Sequence, residues 1–216
     1  MSAQPRAFRP SRVYTGVETE ARLQQLGIRE GSRGLVDALQ DGAAAARSTT
    51  RLHPPVYGGV RMWAEGTASL RSYLADDGWE PLRYFGVDLV VHPGRAIALL
   101  MTAGDAAAGN PDYAHPQVRY ERRIVIQGLV NGRERDLFDQ EEPPVWEVWF
   151  LLHHLSATSV RAELSRPQFV TEDGRVGHWP ERVIIPGFNF RDPASEQVPL
   201  DSTPPDVDVD VRRRAG

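Results

Sequence analysis

The hydrophobic pattern of this chain changes period once, at Asp77-Gly78. Before that point apolar residues recur every three or four positions, and after it they alternate or run together, so helices come first and strands follow. Segment 17–26 carries Ala21, Leu23 and Leu26 on one side and meets a natural stop at Gly27. Segment 32–47 places Leu35, Val36, Leu39 and Ala43 at helical spacing, with Ser32 as the expected N-cap. His53-Pro54-Pro55 and Gly58-Gly59 interrupt the chain. Segment 60–75 resumes the helical period through Trp63, Leu70, Tyr73 and Leu74.

Beyond Gly78 the pattern predicts strands. Segments 84–91 and 95–101 flank His92-Pro93-Gly94 as an antiparallel pair. Leu89 and Val91 would share one face with Ala96 and Ala98, and Val90 the other with Ile97 and Leu99. Both faces are apolar, so the pair should be covered on two sides. Segments 120–130 and 133–138 flank Asn131-Gly132, the dipeptide of a tight hairpin turn, and that register matches Ile126 with Leu137. Segment 145–152 reads as a buried strand containing Trp146 and Trp149, and 159–164 and 182–185 as two more. Helices followed by strands argue against a doubly wound parallel sheet. The expected fold is α+β: about three N-terminal helices, then a mainly antiparallel sheet of about six or seven strands. Residues 1–15 read as a flexible arm, 16–191 as a single domain, and 192–216 as a Pro/Asp-rich tail.

Composition narrows the chemistry. All 25 of the lysine-plus-arginine residues are arginine, and there is no cysteine. P-loop, protein-kinase, Schiff-base and pyridoxal-phosphate chemistry all need a lysine. Thiol nucleophiles, disulfides, cysteine-ligated zinc and iron–sulfur clusters need a thiol. The net charge of −4 offers no overall attraction for nucleic acid. No apolar run approaches a membrane span, and no secretory signal is evident, so the expected location is the cytoplasm.

Among polar clusters, the loop after Met101 stands out. Asp105, Asn110, Asp112 and His115 offer oxygen and nitrogen ligands for a divalent metal, or else form turns. Asp88 and His92 fall on one face of a strand about 13 Å apart, too far to share an ion. His153-His154 is expected at a strand end, the two rings pointing to opposite faces. Ser32 falls short of a nucleophile elbow because Glu30 stands where a glycine is needed. A helix-turn-helix across 23–39 would put Arg33 at an apolar position. Arg119, Arg122, Arg123, Arg133 and Arg135 gather around the expected hairpin, interleaved with Glu121, Glu134 and Asp136, which suits a protein interface better than phosphates. Trp149 shares a face with Glu147 and is a core residue or an interface residue.

The expected function is therefore non-enzymatic binding of another protein, through the arginine-rich hairpin (Arg122, Arg133, Arg135) or Trp149, with no resident cofactor. The alternatives are a divalent-metal hydrolase built on the 105–115 loop, with the metal activating water, and a nucleic-acid binder using the arginine hairpin.

Overall fold

The computed structural model describes residues 10–119, 123–131 and 146–190. They form four helices and nine strands. In chain order these are β1 (Arg12–Tyr14), α1 (Val17–Gln25), α2 (Ser32–Arg47), α3 (Tyr57–Ala75), β2 (Glu80–Tyr84), β3 (Val87–His92) and β4 (Ile97–Ala103), then α4 (Arg123–Asn131), β5 (Glu147–Leu155), β6 (Ser159–Arg166), β7 (Phe169–Val170), β8 (Val176–His178) and β9 (Glu181–Asn189). The fold is α+β, as the change of period implies. The seven-stranded sheet has the order β1-β9-β6-β5-β4-β3-β2, and β7 and β8 form a separate hairpin. No helix among the described residues is long and apolar enough to cross a membrane.

The sheet is mainly antiparallel, as expected, with four of its six pairings antiparallel, but it is mixed. β4 runs parallel to β5 from Ile97↔Glu147 to Ala103↔His153, and β1 runs parallel to β9. A parallel pair needs a long crossover, and the chain between β4 and β5 includes α4. Within that crossover, residues 123–130 of the expected hairpin's first arm (120–130) and Asn131 of its turn are helical instead. Alternation over so short an apolar stretch does not separate strand from helix. Asn131, expected in a tight turn, instead uses its amide as a substitute strand edge. Its Nδ2 donates to the Val170 carbonyl (2.7 Å), and its Oδ1 accepts from the Val170 amide (2.8 Å). The second arm, 133–138, lies outside the described residues.

The expected β3–β4 pairing is present, with Val90 opposite Leu99 and Val91 opposite Ala98. Its connection is a 3-10 turn over Pro93–Arg95 that ends on Ala96 in the left-handed region, so Ala96 is a turn residue and not a strand residue. Both faces of the pair are covered. Val90, Ile97 and Leu99 pack with Leu35, Leu39, Leu70 and Leu74 from α2 and α3. Leu89, Val91 and Ala98 pack with Ile126 of α4, Val170, Val176 and Trp179. The helices α2 and α3 touch closely; a Cβ at Gly42 would lie 2.6 Å from the Met62 carbonyl oxygen.

Two further expectations need correction. Residues 12–14, assigned to the loose arm, form β1. Tyr14 is buried, and the Thr19 hydroxyl ties α1 to β1 and its neighbour β9 by sharing its proton between the carbonyls of Tyr14 (3.2 Å) and Ile184 (3.1 Å). Ser32 is not the N-cap of α2, which is Gly31. The Glu20 carboxylate does the capping from α1, accepting from the Ser32 amide (2.9 Å) and hydroxyl (2.5 Å). An acid at that position also suits the helix dipole. The remainder of the arm (1–9) and the tail 192–216 lie outside the described residues.

Candidate functional site

A cavity of about 410 Å³ opens over the carboxyl ends of the parallel pair β4–β5, the usual place for a site in sheets with parallel strands. One wall is the start of α3 with the turn before it: Pro55, Val56, Gly59, Val60 and Trp63. The floor is residues 100–103 of β4 and Gly104 just beyond it, with Val87 and Asp88 of β3 beside it and Ile126 of α4 reaching in. His153 and Leu155 of β5 and Arg119 complete it. Its volume falls in the range of small-molecule pockets, and its lining is mostly apolar, as theirs is.

Local sequence explains how these groups arrive. The residue-by-residue match of β4 with β5 sets His153 beside Ala103. The chain leaving β4 folds back on itself. The Gly104 amide donates to the His153 carbonyl (2.8 Å), the Asp105 amide to Gln117 (2.9 Å), and the Arg119 amide to Ala103 (2.8 Å). Arg119 is thus returned to the cavity.

His153 was expected at an exposed strand end. β5 instead continues to Leu155, and His153 is only 3% exposed. Its Nδ1 has no hydrogen-bond partner among the described residues, a condition that costs about 1–3 kcal/mol for a buried polar atom. Burial, reinforced by repulsion from His154, lowers its pKa to about 4. It is a neutral imidazole at pH 7, with one N–H and one acceptor nitrogen. Asp88 pairs with Arg71 of α3 at 3.3 Å, the arginine partner that its place on a buried face calls for. His92 packs edge-on against Trp79 (5.3 Å between centroids) and has no part in the cavity.

The proposed metal loop is built differently from a metal site. The Asp105 carboxylate accepts from the Ala107 amide (3.0 Å), and the Asn110 side chain from the Asp112 amide (3.0 Å). Both are turn-forming contacts. Asp112 and His115 are exposed. Among the described residues no three His, Asp or Glu side chains come together as metal ligands.

What holds that loop is a buried ion pair that sequence reading missed. Arg182 and Glu163 are both fully buried, joined by Nε–Oε1 (3.1 Å) and Nη2–Oε2 (2.5 Å) contacts. Arg182 also donates to the carbonyls of Tyr113 and of Asn110, the latter at 3.0 Å. Glu163 accepts from the Gly109 amide (3.0 Å) and the Ser165 hydroxyl (2.7 Å). Gly109 has φ +70, and a Cβ there would lie 2.5 Å from the Ala162 nitrogen. The only sequence signal was alternation: Glu163 and Arg182 are charged residues inside strand segments.

The interface residues fare unevenly. Arg122, Arg133 and Arg135 lie outside the described residues, and residues 123–130 of the expected first arm are helical in α4. The nucleic-acid reading rested on that same hairpin. Trp149 is fully buried in the helix-covered core and is unavailable to a partner. Arg22 stacks over its ring at 5.4 Å, and its Nε1 donates to Glu147 (2.8 Å). Trp146, expected in the core, is half-buried just before β5, edge-on to Tyr84. Exposed apolar residues lie elsewhere: Val17, Tyr73, Phe85 and Tyr113 are scattered, whereas Leu52 (88%), Val56 (67%), Tyr57 and Val60 (49%) fall within one stretch, of which Val56 and Val60 also line the cavity. Comparisons with protein-family models, curated proteins and solved structures give no match to this chain.

Proposed function

We propose that this chain is a cytoplasmic accessory protein that works by binding another protein, and that the contact surface is the start of α3 with the turn before it. The observation that carries this reading is the exposure of Leu52, Val56, Tyr57 and Val60 within nine residues of chain. Single exposed apolar side chains are ordinary, but a cluster rimmed by polar residues marks an interaction surface. Arg51, His53 and Arg61 supply a polar rim, and His53 stacks on Tyr57 (4.9 Å), holding that ring at the surface. A rigid aromatic flanked by aliphatic side chains is the composition of an interface centre.

The test is the paired substitution Leu52→Asp with Val56→Asp. Both sites are exposed, and acids at the start of α3 are favoured by the helix dipole, so the fold is retained. A partner recovered from the native host with the wild-type chain, then purified, is expected to bind the double variant at least about tenfold more weakly. Equal affinity of the two proteins for that partner refutes the surface.

A further inference from the structure

We infer that the cavity between α3 and the ends of β4 and β5 is a binding site for a small, uncharged, mainly apolar molecule carrying a hydroxyl or similar group that hydrogen-bonds to His153. The cavity shares Val56 and Val60 with the protein contact proposed above but does not rest on that reading. Leu52 does not line the cavity, so the two are separable by substitution.

Three observations converge on this ligand class. The first is shape: an opening of about 410 Å³ in a chain whose sheet faces are otherwise closed by two packed clusters. Well-packed interiors do not leave voids of that size, and ligand sites do. The second is the wall. Met62, Val87, Leu100, Met101, Ile126 and Leu155 give an apolar surface. The formal charges on the lining, Asp88 and Arg119, are opposite, and Asp88 is already paired with Arg71. Such a lining selects neither a cation nor an anion and favours an apolar body. The third is His153. A ring at this depth contributes to stability best as a plain hydrocarbon, yet here it is an imidazole whose Nδ1 lacks a partner among the described residues. His153 lines the cavity, and an imidazole there discriminates for a ligand that hydrogen-bonds to it, because a site built to hydrogen-bond rejects the analogue that cannot. A hydroxyl both donates and accepts, so it serves either imidazole tautomer.

The probes are thymol, its hydroxyl-free analogue p-cymene, and the anionic cuminate, titrated into the full chain. Binding is followed by calorimetry and by the imidazole nitrogen resonances of isotope-labelled protein. Thymol is expected to bind saturably and shift the His153 nitrogens. p-Cymene is expected to bind about tenfold more weakly. In His153→Phe the preference for thymol over p-cymene is expected to vanish. Val60→Trp, a change at the half-exposed mouth, is expected to weaken both neutral probes with the thermal midpoint unchanged. The inference is overturned by any of four results: no saturable binding of either neutral probe, equal affinity for thymol and p-cymene in the wild type, tighter binding of cuminate than of thymol, or undiminished binding to folded Val60→Trp.

Discussion

Replacing Glu163 by alanine tests whether the Glu163–Arg182 pair organises the loop that returns Arg119 to the cavity. The substitution removes both contacts to Arg182, the acceptor for the Gly109 amide and the acceptor for the Ser165 hydroxyl. Worse, it strands the Arg182 guanidinium at zero side-chain exposure. Removing one partner of a buried pair typically costs about 3–5 kcal/mol, because the remaining charge has no compensation. For a chain of this size that is a fall of roughly 6–20 °C in the thermal midpoint. Urea unfolding followed by tryptophan fluorescence gives the global cost, and amide exchange at Gly109 the local one. The control is the double replacement Glu163→Leu with Arg182→Met, which strands no charge. It still forfeits the bonds to Asn110 and Tyr113, yet it is expected to cost less than Glu163→Ala alone. Two outcomes refute the reasoning: a Glu163→Ala cost below about 1 kcal/mol, or a double replacement as costly as the sum of the two single ones.

Two further expectations concern His153 and the backbone. His153 is neutral when folded and has a folded pKa of about 4, below its value in the unfolded chain. The unfolded chain therefore takes up a proton first as pH falls, and stability drops by up to about 3 kcal/mol between pH 6.5 and pH 4. His153→Phe should remove that component, and an unchanged difference between urea midpoints at the two pH values would contradict it. Gly109→Ala should cost at least about 2 kcal/mol, because positive φ and a clash with Ala162 act together. Gly78→Ala has φ +82 but open space around it, so it should cost only about 1 kcal/mol; equal costs in urea unfolding would refute the distinction.

Local pattern was enough for the first three helices. Ser32–Arg47 appears with the boundaries its periodicity implies, and α3 only starts three residues earlier, at Tyr57, than read. The two-faced apolar character of the β3–β4 pair was equally legible, since each face alternates within a few residues. What escaped was non-local. Nothing in the 97–103 segment says that its neighbour runs parallel, because that depends on where the intervening chain goes. The segment 123–131 is short, and its apolar residues satisfy either period. Asn131-Gly132 looked like a turn because turn chemistry is local, whereas the use of the Asn131 amide against Val170 requires the rest of the fold. The candidate site followed the same division. His153 was noticed as one of a pair, but its burial follows from β5 running on to Leu155 between β4 and β6. The exposed quartet at 52–60 lies in what reads as a Pro/Gly break. Apolar residues in such a break carry no periodicity that marks them as outward-facing.

The parallel pairing of β1 with β9 bears on how the chain is made. Arg12 finds its backbone partners at Pro180 and Glu181, and the Thr19 hydroxyl reaches a carbonyl 165 residues away. During synthesis the first strand emerges early, yet its neighbour in the sheet is among the last described segments to leave the ribosome. The apolar side of α1, with Leu23, must wait for β9, far along the chain, to complete the surface that covers it. Domains tend to form as units once enough chain is available, and here that moment is deferred to the appearance of β9. A nascent chain stalled before Glu181 would expose Tyr14 and an unpaired β6 edge together, a combination that invites capture by chaperones.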